Sequence, residues 1–198
     1  MTPDMPSSSS CRRARTSAIC AICAICATLL LILAACSPVF NWREVPLQGG
    51  ELVVLLPCKP DRAERQMPLG DQSVRVDMAG CETGGATFAV AHANAADAAQ
   101  AQAWMNAWRM QAYAQWAGAR VEESPGGVVR AALAPAPLRL DASLPPADRS
   151  APARQASLLW FAHRNRDGTV ALYQATVLGK PSSPEAVENF FSGLRLPG

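Results

Sequence analysis

Two histidines, seven cysteines and a few serines and carboxylates are the side chains of this sequence that could perform chemistry. His92 and His163 are far apart in the chain, and their spacing from the cysteines matches neither a zinc knuckle nor a His-Glu-x-x-His helix. The sequence also lacks the Gly-x-Ser-x-Gly turn of a nucleophilic serine and the glycine-loop spacings that cradle phosphates. We therefore predict no metal, cofactor or catalytic set, unless the fold gathers Cys58, Cys81 and both histidines into a zinc site.

A segment near the amino terminus carries the clearest chemical signal. Leu33-Ala34-Ala35-Cys36 closes an apolar run, residues 18–33, that follows three arginines between positions 12 and 15. This arrangement resembles the lipobox of bacterial lipoprotein precursors, in which diacylglycerol is attached to the cysteine thiol and a peptidase cleaves before it. The resemblance implies a signal peptide at residues 1–35 and a lipidated Cys36. A plain cleaved signal, an uncleaved membrane helix and a twin-arginine signal are the alternatives.

The charge of the mature chain limits its partners. Removing residues 1–35 takes three of the 18 basic and one of the 16 acidic residues, so fifteen of each remain. A mature chain without net charge has no basic field for nucleic acid or anionic lipid. We expect membrane attachment through the lipid anchor, another envelope protein as a candidate partner, and no nucleic acid. The oligomeric state stays open.

The same resemblance implies a location in the cell envelope, with the domain facing the periplasm. Ser37 follows the predicted lipid site. In enteric bacteria an aspartate there retains lipoproteins in the inner membrane, so serine favours the outer membrane.

The cysteines divide at the predicted cleavage site. Four of them would leave with the signal peptide: Cys11, Cys20, Cys23 and Cys26. Cys36 would carry the lipid, which leaves Cys58 and Cys81 in the domain. Two cysteines in an oxidising compartment predict one intradomain disulfide. Two free buried thiols and an intermolecular bridge are the alternatives.

Short apolar segments separated by turn residues predict a sheet at the start of the domain. Glu51–Leu56 is apolar and closed by a proline, as in a buried strand. Three further strands are predicted through short loops: Ala63–Leu69, Ser73–Met78 and Ala86–Ala93. Together they predict an antiparallel meander. Residues 36–50 are predicted to be a lipidated tether, with Trp42 either at the bilayer or packed on a single domain over 51–198.

A long helix is predicted after the meander, from Ala95 to Ala117, with Asn94 as its cap and Gly118 as its stop. Six apolar residues, three of them tryptophans, fall on one face of this helix: Ala101, Trp104, Met105, Trp108, Ala112 and Trp116. This stripe predicts that the helix packs on the sheet. The alternative is that the tryptophans form a platform for an aromatic ligand or a groove for a partner.

The carboxyl-terminal half is predicted to return to the sheet. Strand-like patches occur at Val128–Leu133 and Leu138–Asp141, and prolines predict an irregular loop at Ser143–Ala153. A hairpin is predicted from Ser157–His163 and Thr169–Leu178 across the turn at residues 165–168. A last helix is predicted to follow, capped by Ser182 or Ser183, with an apolar face of Val187, Phe190, Phe191 and Leu194.

This order of elements, with Leu55-Leu56-Pro57 at its start and Phe190 to Leu194 at its end, resembles small domains of the Mog1/PsbP-like type. The resemblance implies an α+β sandwich in which an antiparallel β-sheet packs against a long amphipathic helix and a C-terminal helix. Members of that type mostly bind proteins or assist assembly. We therefore expect an envelope-anchored, non-catalytic binding or assembly-accessory module. The alternative is an envelope enzyme that uses His92 or His163 as acid or base.

Overall fold

The computed structural model describes residues 38–146 and 153–197. Within these residues it contains nine β-strands and two α-helices. The strands are β1 (Arg43–Pro46), β2 (Val53–Leu56), β3 (Asp61–Leu69), β4 (Gln72–Thr83), β5 (Ala86–Ala95), β6 (Arg120–Pro125), β7 (Leu138–Leu144), β8 (Arg154–Arg164) and β9 (Val170–Gly179), and the helices are α1 (Ala98–Gln115) and α2 (Glu185–Ser192). From Val39 onward the chain forms one compact unit.

Seven strands form one antiparallel sheet in the order β3-β4-β5-β9-β8-β7-β6, and β1 and β2 pair separately. The predicted α+β class with a large antiparallel sheet is confirmed. So is the β8–β9 hairpin, which pairs from Ala156↔Leu178 to Arg164↔Val170. Its turn is closed by Asp167, whose carboxylate accepts hydrogen bonds from the hydroxyl and amide of Thr169 at 2.6 and 3.0 Å. These hydrogen bonds lower the pKa of Asp167.

The large sheet buries side chains on both faces, since neighbouring residues of a strand point to opposite sides. Trp160 and Phe161, adjacent in β8, are both fully buried and belong to different clusters. The cluster that includes α1, here called the α1 cluster, contains Val76, Ala101, Trp104, Met105, Trp108, Leu140, Trp160 and Leu172. The cluster that includes β2 and α2, here called the hairpin cluster, contains Val54, Leu56, Phe88, Val90, Phe161, Tyr173, Phe190 and Phe191.

The start of the domain differs from the prediction. Arg43–Pro46 lies in the predicted tether, yet it pairs with β2 in full register, so the folded chain begins before residue 51. β2 consequently belongs to a separate hairpin, and only β3, β4 and β5 form the predicted meander. Trp42 packs edge-on against Phe88, with ring centroids 6.4 Å apart, which is the packed alternative. Cys36 lies outside the described residues.

The long helix begins later than predicted. The carboxylate of Asp97 caps α1 by accepting a hydrogen bond from the amide of Gln100 at 2.8 Å. Asn94, the predicted cap, belongs to β5. An aspartate satisfies the same free amides at a helix start, and it stands three residues nearer to the residues that adopt helical geometry.

Two predictions in the second half were wrong. Val128–Leu133 is not a strand, because Arg130 has a φ of +68°, in the left-handed region that breaks a strand. The final helix α2 begins after Pro184 without a side-chain cap, so neither predicted serine caps it. Strand β6 was not predicted at all. The predicted loop at 143–153 lies partly outside the described residues, and β7 extends into it as far as Leu144.

Candidate functional site

A row of polar and aromatic side chains crosses four adjacent strands near one end of the large sheet. Asp77 on β4 is paired with His92 on β5, and His92 is paired with Tyr173 on β9. Tyr173 is in turn paired with Phe161 on β8. Direct cross-strand partners lie on the same face of a sheet, so these side chains stack in line. The ring centroids of His92 and Tyr173 are 5.1 Å apart, and those of Tyr173 and Phe161 are 5.0 Å apart.

A cleft opens beside this row, because β4 and β5 separate beyond the Asp77–His92 pair. The pairing of the two strands ends there, although β4 begins at Gln72 and β5 continues to Ala95. The cleft has a volume of about 480 Å³. Its lining includes Ser73, Asp77, His92, Asn94 and Trp104. Of the row, Asp77 and His92 border this cleft, whereas Tyr173 and Phe161 are fully buried behind them.

The hydrogen bonds of His92 determine which of its nitrogens faces a ligand. The amide Nδ2 of Asn94 donates to the carbonyl of Gly49 at 3.0 Å, which turns its Oδ1 toward Nε2 of His92 at 3.2 Å. An amide oxygen only accepts, so Nε2 must carry the hydrogen. The other nitrogen, Nδ1, is buried and has no hydrogen-bond partner within the protein.

Burial keeps this imidazole neutral. It lowers the pKa of His92, and this effect outweighs the Asn94 hydrogen bond and the nearby charge of Asp77, which both raise the pKa. In the neutral ring, Nδ1 presents a lone pair. A β-carbon placed on Gly49 would lie 3.7 Å from this nitrogen and 3.4 Å from Oδ2 of Asp77, so the two acceptors face the same small space. Two acceptors facing one space suit a hydrogen-bond donor.

The β1–β2 turn covers the row through two glycines. A β-carbon on Gly50 would lie 3.0 Å from the hydroxyl of Tyr173 and 3.1 Å from Nε2 of His92. Gly49 has a φ of +72°, which favours glycine. The close approach of this turn contributes to the burial that raises the pKa of Tyr173 to about 12, against the amides of Glu51 and Leu52. The phenol therefore stays protonated at neutral pH.

Salt bridges hold the outer end of the row. The guanidinium of Arg75 lies 3.0 Å from Glu64 and 3.1 Å from Asp77. The side chain of Arg75 is 61% exposed, so these pairs are solvated and contribute little to stability. Hydrogen bonding to Asp77 is the main reason that the pKa of Arg75 is raised. Asp77 is thus held in place by Arg75, while one side of it lines the cleft.

The second histidine lies on the other side of the β1–β2 turn. Nε2 of His163 is 3.7 Å from the carboxylate of Glu51, and its Nδ1 is 3.3 Å from the carbonyl of Arg130. The fold therefore brings both predicted histidines to the same turn, His92 beneath it and His163 beside it. A carbonyl acceptor at Nδ1 and a carboxylate at Nε2 hold the His163 ring in place.

The two cysteines lie away from these histidines. Cys58 and Cys81 form a disulfide with their Cα atoms 5.9 Å apart, at the end of the sheet opposite the β1–β2 turn. The fold does not gather them with the histidines. Within residues 38–146 and 153–197, no group of three or more histidine, cysteine, aspartate or glutamate side chains could hold a metal ion.

The tryptophans proposed for binding are mostly enclosed. Trp104, Trp108 and Trp116 are 8%, 2% and 5% exposed and belong to the α1 cluster. Such burial favours the core interpretation of the stripe over an open platform. Trp104 differs from the other two because it also lines the cleft between β4 and β5. It is the part of the predicted platform that borders the candidate site.

Several residues of this site were missed by sequence reasoning. Asn94 was interpreted as a helix cap, and Gly49 and Gly50 as part of a tether. One signal was available for His92, which is in phase with the buried Phe88 and Val90 along β5. A histidine at an inward position of a strand needs hydrogen-bond partners, and such a position marks it as a candidate.

Comparison with known proteins does not place this chain in a family. No protein-family model matches the chain, and no curated protein is significantly similar to it. Among the described residues, no helix is long and apolar enough to cross a membrane.

Proposed function

We propose that this chain is a lipid-anchored protein of the bacterial cell envelope whose domain faces the periplasm. The support is the lipobox-like Leu33-Ala34-Ala35-Cys36, followed within three residues by the folded unit that begins at Val39. The Cys58–Cys81 disulfide suits an oxidising compartment. Ser37 favours the outer membrane over the inner one.

The domain is proposed to be a non-catalytic binding module. The observation that carries this proposal is the unpartnered Nδ1 of His92, buried beside Asp77 at the cleft between β4 and β5. A buried acceptor without a partner costs stability, and a ligand that donates a hydrogen bond would remove that cost. Since Nε2 donates to Asn94, the ring presents Nδ1 as a fixed acceptor that can orient a donor group of a ligand.

The ligand is proposed to be a segment of another envelope protein. The order of sheet, long helix, hairpin and final helix supports the resemblance to Mog1/PsbP-like sandwiches, whose members mostly bind proteins or assist assembly. On this proposal α1 covers one face of the sheet and α2 the other. A backbone amide or a lysine of the partner would supply the donor for His92 and Asp77.

The anchor is tested by metabolic labelling with a tagged fatty acid in a bacterial host. Cys36→Ser should abolish labelling and leave an uncleaved or soluble product. Cys26→Ser, in the apolar run, is the matched control and should keep the label. Fatty acid on the Cys36→Ser protein would refute the anchor.

The binding site is tested by photo-crosslinking in cells that produce the full chain. A crosslinking amino acid at Ser73, which lines the cleft, should capture a defined partner, whereas one at Met110, exposed on α1, should not. His92→Phe keeps an aromatic ring to stack on Tyr173 but removes both nitrogens, so it should abolish the Ser73 crosslink. Equal capture at both positions, or capture that survives His92→Phe, would contradict the proposed site.

A further inference from the structure

The chain enters the folded unit at one end of the large sheet. The hydroxyl of Thr83 donates to the carbonyl of Val39 at 2.5 Å, and the amide of Asn41 donates to the carbonyl of Pro57 at 2.7 Å. Between them the ring of Phe40 packs edge-on against Phe88, with centroids 6.4 Å apart. These contacts fix the position of the first residues of the domain against the β4–β5 turn.

This end of the sheet, here called the entry end, is formed by residues 39–40, 57–60, 82–87 and 178–183. It carries two exposed apolar side chains, Val39 at 56% and Leu178 at 46% exposed. Lys59 and Lys180 are the only lysines of the sequence, and both are exposed at this end. Apolar side chains beside lysines form the type of surface that suits the interface of a bilayer.

The length of the chain before the entry end restricts where that end can lie. Two residues, Ser37 and Pro38, separate Cys36 from Val39. Three steps of 3.8 Å between Cα atoms span at most about 11 Å. The polar headgroup layer of one leaflet is roughly 5–8 Å thick. A domain attached to a lipid on Cys36 therefore cannot move its entry end far beyond the headgroups.

We infer that the entry end rests on the membrane surface, with Val39 and Leu178 at the headgroup layer and the two lysines beside anionic lipid headgroups. This inference rests on the proposed lipid anchor and adds an orientation to it. The domain as a whole has no basic field, so its attraction to anionic headgroups comes from the position of the two lysines. Three exposed acidic side chains lie at the same end, Asp61, Glu82 and Glu185, so the lysines act through their position and not through a net positive charge.

The orientation is tested on the full lipidated protein in vesicles of phosphatidylethanolamine and phosphatidylglycerol that contain a headgroup-attached fluorescence quencher. A cysteine replaces Leu178 at the entry end or, as the control, Arg166 in the β8–β9 turn at the opposite end. Strand β9 alone has 10 residues, so the two positions are roughly 30 Å apart. A fluorophore at position 178 should lose most of its emission, whereas one at position 166 should keep it.

The possible outcomes separate the two proposals. A protein that carries no fatty acid by mass spectrometry overturns the lipid anchor and the orientation with it. A protein that carries the lipid and sediments with vesicles, but is quenched equally at both positions or more at position 166, overturns the orientation alone.

The role of the lysines is tested with Lys59→Gln/Lys180→Gln. With both lysines present, quenching at position 178 should be stronger in anionic vesicles than in phosphatidylcholine vesicles. The double variant should remove this difference. Arg164→Gln/Arg166→Gln, at the opposite end, should preserve that difference. If the lysine variant also preserves it, the lysines do not contact the headgroups.

Discussion

The disulfide between Cys58 and Cys81 offers a stability prediction that can be worked out from the fold. The bond joins the segment after β2 to β4, and so links the small sheet to the large one across a sequence separation of 23 residues. Closing a loop of that length lowers the entropy of the unfolded chain by about 11.5 cal/mol/K, or about 3.4 kcal/mol at 25 °C. Cys58→Ala/Cys81→Ala should lower the free energy of unfolding by about that amount, a large part of the stability of a domain this small.

Denaturant unfolding of the domain without its anchor measures this loss, and the reduced wild-type protein is the matched control. Reduction opens the loop but keeps both sulfur atoms, so the difference between reduced protein and double variant gives the packing contribution of the two sulfur atoms. A loss below about 1 kcal/mol in the reduced protein would refute the loop-entropy estimate. Two reactive thiols in the unfolded protein before reduction would refute the bond itself, and a dimer on non-reducing gels would indicate the intermolecular bridge.

Three further predictions concern the core and the candidate site. Trp108→Ala should lower the free energy of unfolding by about 3–5 kcal/mol in denaturant melts, and exposed Met110→Ala should barely change it. Gly50→Ala should cost about 1–3 kcal/mol by crowding the site, whereas Gly127→Ala, in open space, should not. Burial lowers the pKa of His92 below its value in the unfolded chain, so protons bind more tightly to the unfolded chain. The free energy of unfolding should therefore fall as the pH drops below about 6.5, and His92→Phe should flatten that fall. An unchanged pH profile in this variant would contradict the prediction.

The strands that could be predicted from the sequence are those whose own pattern records their burial. In β4, Val74 and Val76 alternate with polar residues and are buried as predicted. The β8–β9 hairpin has two apolar strands and a turn closed by Asp167, so it too is specified locally. Such elements are recognisable because burial on one or both faces leaves a period in the sequence.

The strands that were not predicted lack such a pattern of buried apolar residues. All six residues of β6 are exposed, and its strand geometry comes from its pairing with β7 at the edge of the sheet. In β1 only Val45 is buried, and its pairing with β2 depends on the glycines of the turn between them. The opposite error occurred at Val128–Leu133, where apolar composition suggested a strand that the backbone of Arg130 excludes. Tertiary pairing, which a local pattern does not encode, decided β1 and β6, and the backbone of Arg130 decided the third segment.

The candidate site depends on register in the same way. Asp77, His92 and Tyr173 meet only because three strands pair in one alignment, and a slip of one residue would place their side chains on the other face. The β1–β2 hairpin then connects the two ends of the sheet, since β1 starts beside the entry end and its turn covers His92. On the proposed anchoring, the part of β5 from Ala86 to His92 holds the cleft roughly 20 Å from the bilayer. At that height only a partner that is free in the periplasm, or one that extends well beyond its own membrane, could reach His92.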